Sequence, residues 1–472
     1  MIRQIVRKEV LENILSLRFA LSLLLTTCLF AVCGYVFVAG YQQESEDYWK
    51  RTNQDLAALR EQSRMLYRLA FYKQGIYRKP QPLAMCAEGQ EAALPNFFEV
   101  NAFTAELPRT KGQANFALPQ FSRVDWTLIV SLILSFAALV FTYDAICGEK
   151  EAGTLSLMMA NTVPRYQVLL GKYAGAMITL AVPLALGMLV SLIVMVSSGA
   201  VAVGGGEWLK ILVIAAVSLL YLSIFVLLGM LVSSRTAHAA NSMAILLLVW
   251  VVFVILLPSF CRIIFDVVCK EPTEEELQRQ LNQTRAEIWN NHEKYGKNAG
   301  SMSNNLRDPI NNPPARARLQ NALMDATNQI VEEHHNKWLG QALARRNVAR
   351  ASPAVIYQRA AEAVAGTGIS RCADLYQQVK RYGMDLKEFT RSRDMEDPRS
   401  LHLIGPEENM ASSWRAISHD PADFETVPKF QERPMTLEHS LKLAVWDVGL
   451  LCLFNLVFLA AAFVSFLRYD VR

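Results

Sequence analysis

The sequence predicts an all-α polytopic membrane protein: six transmembrane helices plus a mainly helical extracytoplasmic domain built from two insertions. Three observations predict it. Of 472 residues, 52% are hydrophobic and 19% charged, against about 25% charge in an ordinary soluble domain. Six runs are long and apolar enough to span a bilayer, which takes about 20 apolar residues, with few or no charges inside them. Two long polar stretches interrupt them, and much of their patterning is helical. The same composition excludes a disordered chain, which is poor in apolar residues, and a disulfide-dense scaffold, which needs far more than 8 Cys. A net charge of +4, from 47 basic and 43 acidic side chains, gives no basis for binding nucleic acid.

The first run goes from Phe19 past Phe37, between Arg18 and Glu44. Arg3, Arg7 and Lys8 precede it as in a signal peptide, but the run is too long and no small-x-small site follows, so it reads as an anchor. The second run, Trp126 to Tyr143, is bounded by Asp125 and Asp144. The third lies within Tyr173 to Gly206, ending near Ser197-Ser198-Gly199 and Gly204-Gly205-Gly206. The fourth is Ile211 to Val232, the fifth about Met243 to Phe265, and the sixth about Leu443 to Leu467.

Lys and Arg beside the helix ends set the orientation. With the N-terminus inside, inner segments hold Arg3, Arg7, Lys8, Arg18, Lys150, Arg165, Lys172, Arg235, Arg468 and Arg472. The short outer loop around Gly199 to Gly206 holds none. Both termini are therefore expected in the cytoplasm. The chain divides into 1–40, the N-terminus and first helix; 41–125, a first extracytoplasmic insertion; 126–265, helices two to five with a short cytoplasmic helix at about 149–163; 266–442, a second, mainly helical insertion; and 443–472, the last helix and the C-terminus.

The first insertion reads as helical from Glu44 to Tyr72, then breaks at Arg78-Lys79-Pro80-Gln81-Pro82. In the second, Thr273 caps a helix, with Glu276 three residues on. After a break from Asn304 to Pro314, a long helix is expected from Ala315 to Ala349. Ser352-Pro353 starts another as N-cap and first turn, Gly366-Thr367-Gly368 ends it, and Ser370 to Arg393 is helical again.

The stretch between helices two and three is the most informative. Thr154 can cap a short helix in which Leu155, Leu157, Met158 and Met159 are apolar. Glu149 and Glu151 precede it, where a helix dipole favours acidic groups. Pro164 ends it, and Arg165 to Lys172 makes a basic lead into the third span. Such a helix suits docking to a cytoplasmic partner; an interfacial helix that only satisfies the bilayer boundary fits the composition equally well.

Glu149-x-Glu151-x-Gly153-Thr154-Leu155, followed by Pro164-Arg165 and Leu170-Gly171-Lys172, resembles the cytoplasmic signature of ABC-2 type transporter permeases. Lys79-Pro80-Gln81-Pro82-Leu83 and Ser352-Pro353-Ala354 resemble a bacterial branch related to permeases labelled for multicopper-enzyme maturation. The resemblance implies a permease subunit of an ABC exporter in the bacterial inner membrane. The short helix would be its coupling helix, with Glu149, Glu151, Gly153, Thr154, Leu155, Leu157, Met158, Pro164 and Arg165 as the ATPase-coupling residues. Implied partners are an ABC ATPase subunit, a second copy of this chain as homodimer, the lipid bilayer and a substrate the sequence does not name. ATP and Mg would sit on the ATPase, with no cofactor on this chain. The alternative is a mechanotransmission complex, in which ATPase strokes move the periplasmic domain and nothing crosses the bilayer. Typical members have only a short re-entrant pair between helices five and six, so the large second insertion is a departure.

Other chemistry is thin. Gly148-x4-Gly153 has the glycine spacing of a P-loop, but Thr154 stands where the phosphate-reaching Lys must be, so the chain is expected not to be an ATPase. There is no HExxH, GxSxG or CxxC. His334-His335, beside Glu332 and Glu333, point about 100° apart on a helix, and a solvated face is the expected reading over a metal site. Cys86, Cys261, Cys269 and Cys372 fall at or beyond the outer boundary, where a disulfide is possible but its pairing is open. Asp447 is a charge in the sixth span and a candidate functional residue, although its place near the outer interface favours snorkelling to water.

Overall fold

The computed structural model describes residues 2–89, 91, 94–104, 106–109, 124–154, 164–201, 203–269, 272–301, 308–310, 312–403 and 415–468. Lipid offers no hydrogen bonds, so an apolar run crossing it must satisfy its own backbone as a helix. Among the described residues six helices are long and apolar enough to do so. A short helix α1 (Ile2–Ile14) precedes them and lies against the third span. Helix α2 (Leu17–Gln62) starts where the Ser16 hydroxyl accepts the Phe19 N–H. Its 46 residues extend about 69 Å, twice the hydrocarbon core, so the first span runs unbroken into the first insertion. The helical stretch expected from Glu44 is thus the same helix, bending after Gln62 into α3 (Leu66–Phe71). A two-stranded antiparallel ribbon follows where the sequence suggested only irregular chain: β1 (Gln74–Tyr77) pairs with β2 (Phe97–Val100), Tyr77 opposite Phe97.

Asp125 opens the second span. One carboxylate oxygen accepts the Leu128 N–H at 2.8 Å, and the other accepts the Glu88 and Gly89 N–H groups from the first insertion. Helix α4 then runs as Trp126–Leu128, a π-helical stretch Ile129–Leu134, and Ser135–Thr142. After the short α5 (Cys147–Glu151) come α6 (Arg165–Ser197) and α7 (Gly205–Arg235). The fifth span, α8, also contains a π stretch: Ala239–Trp250, Val251–Leu256 and Leu257–Val268. The last is α13 (Leu437–Leu467). Helix α2 packs closely on α6, where a Cβ at Gly187 would fall 2.7 Å from the Phe30 ring. The larger residue would force the two helices apart.

The second insertion contributes α9 (Glu274–Asn290), α10 (Pro313–Val348), α11 (Pro353–Ala365) and α12 (Gly368–Asp394). Thr273 caps α9 through the Glu276 N–H at 3.2 Å. The two insertions form one body: Ile76, Phe98 and Val100 of the ribbon bury against Leu375, Tyr376, Val379 and Tyr382 of α12. A second core joins Leu59, Leu66 and Leu69 to Leu386, Ile417 and Val427.

Helix α11 is the exception. Ile356, Tyr357, Ala360, Ala361 and Val364 belong to the core of the transmembrane bundle, packed against α7 and α13. Part of the second insertion is therefore re-entrant. Ser352 stands at the N-cap position of α11 as expected, but its hydroxyl makes no capping bond; it donates instead to the Phe253 carbonyl of α8 at 2.6 Å, which lies in a π stretch. Gly366 does end the helix, at φ +74°, the left-handed conformation glycine adopts without strain. All eight cysteines are free, so no disulfide joins the insertions.

His335 is a further correction. Its face of α10 packs on α12 instead of facing solvent, leaving the residue 3% exposed with its ring centroid 3.7 Å from that of Tyr376. Burial, with His334 beside it, holds the imidazole down at about 4 against the pull of Glu332. The unfolded chain binds this proton near pH 6.5 and the folded chain only near 4, so the stabilisation is complete above 6.5 and declines as pH falls toward 4. Amide hydrogen exchange across residues 331–342 and 369–382 should lose up to about 3 kcal/mol of protection over that window. In His335→Gln the decline should be absent, and an unchanged decline there would assign the acid sensitivity elsewhere.

Candidate functional site

Two polar constellations stand out, one at the end of the bundle that carries the signature and one inside it. At the signature end, the Ser233 hydroxyl of α7 accepts the Ile146 and Cys147 N–H groups, each at 3.0 Å, which seats α5 against that helix. From α5 three consecutive side chains diverge. Glu149 meets Lys172 of α6 at 2.8 Å, and Lys172 also holds Glu9 of α1 at 2.7 Å. Lys172 is 4% exposed, so it is matched entirely by these two carboxylates, with Lys8 at 3.7 Å from Glu149. Lys150 donates to the Ser234 and Thr236 carbonyls at 2.7 and 3.2 Å, at the C-terminal end of α7. Glu151 accepts the Ala239 N–H at the start of α8, with His238 Nδ1 also at 3.1 Å. A cation thus sits at a helix C-terminus and an anion at a helix N-terminus, each matching the local dipole.

The remaining signature residues fall around this fan. Gly153 turns at φ +70°, and the Thr154 hydroxyl donates to the Glu149 carbonyl at 3.3 Å. Pro164 caps α6, and Arg165 donates to the Leu467 carbonyl at 2.7 Å, at the C-terminal end of α13. Leu155, Leu157 and Met158 lie outside the described residues, as does the rest of the stretch to Val163. Helix α1 and the last turn of α13 therefore gather on the signature side, through α1 on α6 and Arg165 on Leu467. Sequence reasoning placed Glu149 and Glu151 before a helix of their own; the structure gives them Lys172 and the start of α8. Lys172 itself was read only as part of a basic lead, and nothing local to it signals a pair of carboxylates.

Inside the bundle, α11 anchors a seam of polar groups. The Tyr357 and Ser218 hydroxyls are 2.8 Å apart, and the Tyr357 and Tyr221 rings stack at 4.7 Å. Tyr221 donates onward to the Ser131 carbonyl at 3.1 Å, within the π stretch of α4. Trp250 donates to Ser135 at 2.8 Å, linking the two helices that contain π stretches. A π turn displaces carbonyls from their usual partners. Tyr221 and Ser352 supply donors to one such carbonyl in each helix.

Asp447 belongs to the same region. It does not snorkel: it is 2% exposed, with Arg350 at 2.8 Å and Arg359 at 3.4 Å. Both arginines come from the second insertion, one just before α11 and one within it. The polar partners reach the carboxylate from a segment nearly a hundred residues away, so it has no need to reach water.

With this geometry in view, residues 3–306 match the family described as ABC-2 family transporter protein. The chain belongs to the ABC-2 transporter family. Residues 269–402 match a domain of unknown function, DUF3526, a region that contains α9 to α12. A relative described as probable ABC transporter permease protein NosY, from Pseudomonas aeruginosa, is 29% identical over 148 residues, covering 31% of this chain and 53% of that protein. The protein of the same description from Stutzerimonas stutzeri is 34% identical over 76 residues, 16% of this chain and 28% of its own length. The chain spans about half the length of the first of these relatives and less of the second.

For this ABC-2 chain, removing one partner from either buried ion cluster should cost about 3–5 kcal/mol, because the stranded charges lose their match. Lys172→Met strands Glu9 and Glu149, and Asp447→Asn strands Arg350 and Arg359. Thermal unfolding of the purified protein should show both losses. Removing Arg350 and Arg359 as well, in Asp447→Asn, should recover part of the second; no recovery would mean that the ion pairs are not what Asp447 contributes.

Proposed function

We propose that this chain is the membrane-spanning permease subunit of an ABC exporter in the bacterial inner membrane, a homodimer served by a separate ABC ATPase subunit. ATP and Mg belong to that subunit. The observation that carries the reading, beside family membership, is the fan from α5. A displacement of Glu149-Lys150-Glu151 reaches α1, α6, α7 and α8 together, through bonds of 2.7–3.7 Å. In this reading Leu155, Leu157 and Met158 contact the ATPase, while Glu149 and Glu151 pass the movement on. ATP-driven closure of the ATPases pushes the fan and rearranges the spans to open a path. The Lys and Arg distribution supports the signature end as cytoplasmic and the insertions as external.

Two measurements test it. Leu157→Asp should abolish co-purification of the ATPase, whereas Glu149→Gln should retain it and lose transport-coupled ATP hydrolysis. If Glu149→Gln instead lost binding as completely as Leu157→Asp, Glu149 would be a docking residue and the relay would fail. For orientation, single cysteines at Glu293 and Thr154, both exposed, are placed in a Cys-free chain. An impermeant thiol reagent added to intact spheroplasts should label the first and spare the second.

A mechanotransmission reading has one specific observation in its favour. Helix α2 carries the bundle's motion without a break into the outer body, and α11 ties that body back into the bundle. Replacing residues 274–340 with a Gly/Ser linker keeps α11 and the arginines of Asp447 in place and should leave ATPase binding intact in either case. Loss of substrate movement into inverted vesicles supports export. Full ATPase coupling with no substrate movement, even in the unmodified chain, supports the alternative.

A further inference from the structure

A cavity of about 200 Å³ opens where α7, α11 and α12 meet the strap 432–437 that leads into α13. We propose that it holds the phosphoethanolamine headgroup of a zwitterionic phospholipid.

Its position comes first. The apolar run Ile211 to Val232 of α7 is about 33 Å long, the thickness of a hydrocarbon core, which puts Lys210 at headgroup level. Trp208, Leu209 and Leu212, around the same turn, are 45%, 48% and 65% exposed. An exposed Trp beside apolar residues at a span's end is the pattern of an interfacial anchor. The cavity's mouth is therefore placed among lipid headgroups, not deep in the outer body.

Its charges come second. Of the six ionic residues in the wall, Arg371 and Glu432 are committed to each other at 2.7 Å, with Glu91 completing that cluster. Lys210 donates to one acceptor, the Met435 carbonyl at 3.1 Å. Asp374 accepts from Gln378 at 2.8 Å, and Glu207 and Arg433 complete the wall. The wall thus includes two further cationic and two further anionic residues, Lys210 and Arg433 with Glu207 and Asp374, beside the apolar Leu83, Leu375 and Leu437. A lone anion would face Glu207 and Asp374, and a lone cation would face Lys210 and Arg433. A ligand with a phosphate and an ammonium two carbons apart meets both signs, the phosphate toward Lys210 and Arg433.

The wall is also preformed. Gln378 accepts the Arg433 N–H at 2.8 Å and donates to its carbonyl at 3.0 Å, and Lys79 N–H binds Glu432 at 2.9 Å. The strap is fixed before any ligand arrives, so binding costs little ordering.

The full-length protein, purified in detergent and exchanged into nanodiscs of phosphatidylglycerol, gives the test. Titrating phosphatidylethanolamine should raise the unfolding temperature, and native mass spectrometry should retain one such lipid per chain. Lys210→Met and Asp374→Asn should each weaken retention roughly tenfold, with the unfolding temperature of Asp374→Asn in phosphatidylglycerol alone unchanged, since the Asn oxygen still accepts from Gln378. That control separates lost binding from lost folding, and the Asp374 variant lies on the outer helix, away from the span. Equal retention of phosphatidylglycerol, or equal retention by wild type and both variants, would overturn the proposal. Soluble glycerophosphoethanolamine should compete only weakly. Competition as tight as the lipid's would assign the cavity to a soluble zwitterion and overturn the lipid source.

Discussion

The absence of water inside the bilayer is the constraint on which the rest of this structure depends. A buried donor, acceptor or charge in the bundle has only protein to match it, and leaving a backbone group or a charge unmatched there costs several kcal/mol. Most of the backbone meets that demand by helix formation. The π stretches in α4 and α8 do not meet it alone, and hydroxyls of Tyr221 and Ser352 arrive from neighbouring elements to complete them. Asp447 and Lys172 are the charged version of the same problem, each solved by two side chains of opposite sign.

That constraint explains why part of the second insertion packs inside the bundle of spans. Ser218, the Phe253 carbonyl and Asp447 all present polar groups toward one region of the bundle, and α11 with its preceding turn answers all three. The alanines of α11 let it lie close to α7 and α13, and Tyr357 fills the space against Tyr221. Together with the unbroken α2, this makes the body formed by the two insertions and the bundle mechanically continuous at two places.

The signature end obeys the same logic with helix dipoles. Lys150, Glu151 and Arg165 each sit at a helix end whose partial charge they oppose, on α7, α8 and α13 respectively. Glu149 instead joins a buried lysine shared with α1. The segment most recognisable in the sequence is therefore where four helices are tied to one short piece of chain, which suits a point of mechanical input.

The sequence by itself determined what depends on neighbours along the chain. Six spans follow from hydropathy, since apolar length is a local property, and the cap at Thr273 and the end at Gly366 follow from residue types at fixed offsets. The family signature at Glu149 to Lys172 was legible for the same reason. Tertiary structure alone decided the rest: that Glu149 pairs with Lys172, that Glu151 caps α8, that α11 enters the bundle, that Asp447 is matched by Arg350 and Arg359, and that His335 is buried on Tyr376. Each of these joins residues brought together by packing, in most cases across tens to hundreds of positions. A side chain's partner at that range is set by which helix faces meet, and a one-dimensional pattern of apolar and polar residues does not specify which face meets which.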